Sequence, residues 1–184
     1  MNVMTPKFGM GASVRRLEDD AFIRGAGRYT DDVTREGVLH GYVVRSSVAK
    51  GSFTIGSTDE ALASPGVKLV LTGKDLAHLG PLVTVAMLPG TDGQRAPSHD
   101  IPILCVDSVA YVGDAVAFIV AETRAQAQDA ADLLEIDYEG GDAVASMEAA
   151  LADGAPHVWD ARGSNIAFDY AMGNKDDADA AFAK

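Results

Sequence analysis

The chain has 184 residues, 47% of them hydrophobic and 23% charged, which is the balance of a globular domain with a core and not of a disordered segment. Fifteen Lys and Arg stand against 27 Asp and Glu, a formal charge of −12; without a basic stripe to neutralise phosphates, nucleic acid and anionic membrane surfaces are excluded as expected partners. Single domains run about 100 to 200 residues, and the lone cysteine, Cys105, excludes an internal disulfide and any thiolate zinc or iron–sulfur site built from this chain alone.

The N-terminus, MNVMTPKFGMG, has no apolar core of the secretory kind, and no stretch reaches the roughly 20 apolar residues that span a bilayer. A cytoplasmic location and no membrane partner are the expectations. Residues 1–35 mix charge and glycine without a period and read as an extended N-terminal arm. Within the arm, GAGRYTDD (25–32) spaces Gly25 and Gly27 like the opening of a dinucleotide-binding loop. That reading fails: position 30 is Thr30, the charged RRLEDDAFIRG ahead of it is no buried strand, and Asp31 and Asp32 would repel a phosphate.

VLHGYVVR (38–45) is rich in β-branched and aromatic residues and predicts a strand; SFTI (52–55) predicts a second, paired antiparallel with the first. STDEALASPGVKLVLTGKDL predicts a short helix capped at Ser57 or Thr58 and stopped at Pro65-Gly66. It continues into the strand VKLVLT and a further short helix capped by Thr72 and holding Asp75 and Leu76. Gly80 to Pro102 has many turn residues and little periodicity, which predicts a long loop and the first candidate for an interface.

VAFIVA (116–121) is an apolar run suited to a strand buried on both faces. TRAQAQDAADLL follows, with a capping box between Thr123 and Gln126 and an apolar face through Ala127, Ala130, Leu133 and Leu134. EIDYE then alternates Ile136 and Tyr138 with acids, completing a predicted β-α-β unit with a right-handed crossover. SMEAALADG predicts a helix capped by Ser146 and stopped by Gly154, and DDADAAFAK the beginning of a helix or turn. The fold class is α+β, a mixed α/β domain over 36–160 with the arm before it and a linker over 161–184.

Chemistry is sparse. Glu18-Asp19-Asp20, Asp31-Asp32 and Asp176-Asp177 are adjacent carboxylates that point apart, so they suit solvated turns and helix caps better than an acid–base pair. No serine lies in a G-x-S-x-G elbow. His40, His78, His99 and His157 are far apart, and Cys105 in IPILCV reads as a buried small hydrophobe. Trp159 is an interface anchor or a local lid on the core, with core packing the preferred expectation, and YVGDAVAF (111–118) reads as a tight turn leading into the apolar strand. From the residues alone, no active site is visible.

Taken together, the motifs resemble the large, molybdenum-binding subunit of the xanthine dehydrogenase and aldehyde oxidase family, in the branch with the bacterial carbon monoxide dehydrogenases. The resemblance rests on Arg16, Glu18 and Asp19 followed by Gly25, Gly27, Tyr29, Asp31 and Asp32. It continues through Arg45-Ser46, PGVKLVLTGKDL (65–76), VAYVGDAVAFIVAET (109–123) and AQDAADLLEIDYE (127–139). It implies an α/β hammerhead domain with an N-terminal arm. Relatives often read R-S-P-x-A-H where this chain has RSSVAK, with Ser47 and Lys50 as the changed positions, and Y-V-G-E-P or Y-V-G-Q-P where it has Tyr111-Val112-Gly113-Asp114-Ala115.

In that family the large subunit hydroxylates a C–H bond or oxidises carbon monoxide with oxygen from water. A molybdenum centre on a pterin (molybdopterin) takes the electrons and passes them to 2Fe-2S and FAD sites in partner subunits or domains. The pterin contacts and the catalytic glutamate belong to later domains, so the resemblance implies no catalytic, cofactor-binding or metal-binding residue in this chain. It implies a piece of a larger subunit, inactive alone, whose partners are the remaining molybdenum-binding domains and the flavin and iron–sulfur subunits. The alternative is a free-standing, non-catalytic protein-binding module derived from the family.

Overall fold

A computed structural model describes residues 14–83, 90, 91, 93, 101–167 and 169–183. The chain divides into two compact units, Met1–Val38 and Leu39–Lys184.

In the first unit a single turn of helix, α1 (Asp19–Ile23), carries two exposed ion pairs, Arg16–Asp19 at 3.0 Å and Arg24–Asp20 at 2.7 Å. Pairs of this kind contribute about 0–1 kcal/mol. Gly25 ends the helix in the left-handed region, with φ of 68°. Gly27 then passes directly beneath Phe22, where a Cβ would stand 2.3 Å from the ring. Phe22 and Tyr29 stack with centroids 5.3 Å apart, and the Tyr29 amide donates to Asp32 Oδ2 at 2.9 Å, closing a 3-10 turn over Thr30–Asp32. The G-x-G spacing thus serves an aromatic stack, and Asp32 is a backbone cap.

The second unit holds two three-stranded antiparallel sheets. One has the order β1 (His40–Arg45), β5 (Ala115–Ala121), β3 (Val67–Thr72); the other has the order β4 (Ser108–Val109), β2 (Gly51–Ile55), β6 (Ile136–Gly140). Four of the helices are α2 (Asp59–Ala63), α3 (Gly73–Leu76), α4 (Arg124–Ala131) and α5 (Met147–Leu151); α6 (Lys175–Phe182) follows near the C-terminus. One buried cluster joins Ala117, Ile119 and Ala121 of β5 to Ala127 and Ala130 of α4 and Ala61 of α2. A second joins Phe53, Cys105, Val109 and Val116, and Val44, Ile55 and Ile136 pack against both. Ile119 and Val116 are fully buried, each worth about 1.5–3 kcal/mol relative to exposure.

Caps lie where the residue types place them. Thr123 Oγ1 accepts from the Gln126 amide at 3.2 Å and Ser146 Oγ from Ala149 at 3.1 Å. Asp75 Oδ2 accepts from both the amide and the hydroxyl of Thr72, at 2.7 and 2.8 Å. Those bonds hold its carboxyl below the ordinary value. Of the two candidates for α2, Ser57 supplies the hydroxyl, which accepts from the Asp59 amide at 3.1 Å.

Two expectations of topology are corrected. β1 and β2 do not pair; they lie in different sheets. β1 carries the apolar run Tyr42–Val44 and joins β5, apolar at every position, in register Tyr42↔Ile119 and Val44↔Ala117. β2 alternates, and joins β6, which alternates likewise, in register Phe53↔Tyr138 and Ile55↔Ile136. β5, α4 and β6 follow in the predicted order, yet β5 is paired antiparallel on both edges and β6 belongs to the other sheet, so no crossover joins parallel strands. Helix α4 also ends at Ala131. Leu133, past its end, is therefore exposed, while Leu134 turns into the core.

Gly51 starts β2 so close to β6 that a Cβ would stand 2.0 Å from the Glu139 carbonyl oxygen. Backbone cannot yield as a side-chain tip does, so Gly51→Ala is expected to destabilise by about 1–3 kcal/mol. Denaturant unfolding checks this; an unchanged midpoint would contradict the packing described.

Candidate functional site

Where β5 begins, the chain makes a turn built around a buried carboxylate. Gly113 takes φ of 99°, and Asp114 Oδ2 accepts from the amides of Ala110 at 2.7 Å and Tyr111 at 3.3 Å. Backbone bonds extend the clasp. Ser46 donates to the Asp114 carbonyl and accepts from Gly113, both at 2.8 Å, and Arg45 Nη1 donates to the Gly113 carbonyl at 2.8 Å. Asp114 thus ties the end of β1 to the start of β5, and Cys105 joins through its amide to the Ala115 carbonyl at 2.7 Å.

A cavity of about 620 Å³ opens beside this turn, lined among others by Lys50, Ser52, Cys105, Tyr111, Asp114 and Trp159. Lys50 Nζ donates to the His157 carbonyl and to Asp160 Oδ1 at 2.8 Å. That hydrogen bond and the lysine's charge hold the Asp160 carboxyl below its ordinary value. Burial, followed by the negative charge of Asp114, pushes the Cys105 thiol up to about 11. Tyr111 is raised above its ordinary value first by its hydrogen bond with Asp114 and then by burial.

The chemistry this permits is limited. A thiol ionising near 11 stays protonated at neutral pH and is a poor nucleophile. The Asp114 oxygen is occupied by backbone donors and the Lys50 ammonium by two acceptors. Among the described residues, no three of His, Cys, Asp and Glu converge as a metal site.

The remaining candidates scatter. The acids of 18–20 and 31–32 serve the arm's ion pairs and turn, and Asp176 and Asp177 donate their amides to Asn174 Oδ1 at the start of α6. His40 opens β1, while His78 follows α3 and pairs its ring with the Asp75 carbonyl at 3.0 Å. His99 lies outside the described residues. Trp159 is half-buried on the cavity wall and absent from both clusters, so its expected core placement is corrected. Most of the Gly80–Pro102 loop lies outside the described residues. Its base is clasped by two bonds between Leu82 and Ile101, at 2.7 and 3.1 Å.

Sequence reasoning missed the role of Asp114 and the Lys50–Asp160 pair. A signal for both was present: Lys50 and Asp114 are positions at which this chain departs from the resembled pattern, and both line this cavity.

The architecture, two antiparallel sheets with helices packed on them, is that of a hammerhead domain. The family model described as aldehyde oxidase and xanthine dehydrogenase, a/b hammerhead domain, matches residues 24–142. The carbon monoxide dehydrogenase large chain of Afipia carboxidovorans is 35% identical over 96% of this chain and 22% of its own length. The xanthine dehydrogenase molybdenum-binding subunit of Escherichia coli O157:H7 is 32% identical over 78% of this chain and 19% of its own. The crystal structure of quinoline 2-oxidoreductase from Pseudomonas putida 86 superposes with a TM-score of 0.70 at 36% identity, over 81% of this chain and 18% of that one. The chain belongs to the aldehyde oxidase and xanthine dehydrogenase family. It spans roughly a fifth of the length of these relatives.

The cavity does not suit a molybdenum–pterin centre. Its thiol is protonated, its lysine is already neutralised by Asp160, and Asp114 sets a buried carboxylate against any anionic group. No step of chemistry is routed through it. Helices offer no membrane alternative, since none among the described residues is long and apolar enough to cross a bilayer.

Two measurements check this site. In Asp114→Ala two part-buried amides lose their acceptor, at a cost of about 0.5–1.5 kcal/mol each, whereas Asp114→Asn retains an acceptor and is expected to cost less; thermal denaturation separates the two. Alkylation of native Cys105 is expected to rise with pH toward a midpoint near 11, against 9.0 for the ordinary thiol. Because the folded value is the higher, the thiol stabilises the fold below pH 9 and loses that contribution as pH rises through 11. A native midpoint at the ordinary value would refute the burial.

Proposed function

We propose that this chain is the hammerhead domain of the large subunit of a molybdenum hydroxylase, an oxidoreductase that takes oxygen from water, and that it serves there as a structural and interface module without a catalytic group of its own. The observation that carries this reading is the alignment of 96% of the chain with only 22% of a carbon monoxide dehydrogenase large chain. The tied-up Asp114 and Lys50 and the protonated Cys105 agree with a scaffolding role.

In this reading molybdopterin is held by other domains of the large subunit, and 2Fe-2S and FAD groups by partner subunits or domains, in a cytoplasmic complex. The division into an arm over 1–35, a hammerhead over 36–160 and a linker over 161–184 belongs to the same reading. The Gly80–Pro102 loop is one surface offered to those partners.

Metal analysis of the purified 184-residue chain tests it. The expected result is no stoichiometric molybdenum and no oxidation of carbon monoxide, aldehydes or N-heterocycles, with both gained when the chain is isolated in its native assembly. Molybdenum bound one to one by the chain alone, or turnover by it, would overturn the reading. Copurification with a protein free of molybdenum would mark a free-standing binding module instead.

A further inference from the structure

The β1-β5-β3 sheet has two faces of the same chemistry. One, with Tyr42, Val44, Ala117, Ile119, Ala121 and Val70, packs against α4 and α2 in the first buried cluster. The other is read from the pairing: Gly41↔Val120↔Leu69 and Val43↔Phe118↔Leu71 stand side by side across the three strands. None of these six residues belongs to either buried cluster. Gly41 and Leu69 are exposed, Leu69 by 41%, and the other four are half-buried. The tip of the Phe118 ring reaches over Gly41, where a Cβ would stand 2.6 Å from it.

An antiparallel sheet with one wet face alternates apolar and polar side chains; a strand apolar at every position is the pattern of a sheet covered on both sides. β5 reads AVAFIVA, with no polar side chain on either face. We propose that this second face is a permanent docking surface, covered by the remaining part of the same large subunit. This rests on the reading of the chain as that subunit's hammerhead domain.

Two observations choose this occupant. An uninterrupted apolar patch is the mark of an obligate contact, as within one subunit, since transient contacts retain more polar groups. The relatives carry about four-fifths of their length outside the aligned part, ample material to cover it. A second copy is the poorer occupant, because each chain carries a charge of −12 and like charges oppose close approach.

The test places a thiol on the patch. Leu69→Cys is an exposed substitution, and native Cys105 is buried and protonated, so maleimide labelling reports position 69. Asp129→Cys, on the solvent side of α4, is the control. In the assembly purified from cells, labelling at 69 is expected to be at least about tenfold slower than in the chain alone, with labelling at 129 unchanged. Equal labelling at 69 in both samples, in an assembly that contains molybdenum, overturns the docking surface and leaves the proposed function standing. Slowing at both positions also overturns it, since protection is then not specific to the face. Concentration-dependent protection of the isolated chain, with a dimer on size exclusion, assigns the face to a second copy and overturns the choice of occupant. Protection at 69 in an assembly without molybdenum assigns the face to another partner and overturns the choice of occupant together with the proposed function. As a second variant, Leu69→Glu is expected to leave the thermal midpoint of the chain alone unchanged while lowering that of the assembly; an unchanged assembly midpoint counts against the proposal.

Discussion

The domain depends on the burial of one strand. β5 gives both of its edges to neighbours and its small residues to helix α4, so its ladder bonds and side-chain contacts are made together. Ala117 and Ala121 meet Ala127 and Ala130, and alanines lose no rotamer freedom when packed. The cost falls on tolerance, because a close-packed interface resists even an added methylene. β1 and β3 pair with this strand, α2 and α4 pack on its cluster, and the second sheet shares Val44, Ile55 and Ile136 with it.

The Asp114 turn follows from the same constraint. A central strand must begin somewhere, and the turn that leads into it leaves backbone donors that need an acceptor. Here one carboxylate accepts from two of them, and Ser46 ties in the neighbouring strand. The ionised groups around the cavity are consumed by architecture: Lys50 pins the segment carrying His157 and Asp160, and Arg162 donates to the Ala167 carbonyl at 3.1 Å. A constellation with thiol, carboxylate, phenol and ammonium is chemically rich in composition and quiet in state.

Local signals were legible and long-range ones were not. The strands other than β4, the caps at Thr72, Thr123 and Ser146 and the mixed α/β class follow from residue types over a few positions. Which strand meets which is not legible from adjacency along the chain: β1 joins the apolar β5 through its own apolar run Tyr42–Val44, and β2 resembles β6 in alternating. Trp159 was misplaced for a related reason, as a large aromatic residue near the end of a domain lines a cavity as readily as a core. The role of Asp114 needed the turn's geometry, since nothing in the sequence says which amides lie within reach of its carboxylate. The family, by contrast, was legible from spaced motifs along most of the chain.

The burial of Cys105 also bears on how the protein is handled. With one sulfhydryl in the 184 residues, 5% exposed and protonated at neutral pH, two folded copies crosslink through sulfur only slowly. A covalent dimer on a non-reducing gel therefore records how much of a preparation has opened up, and the molecule carries its own gauge of damage during storage.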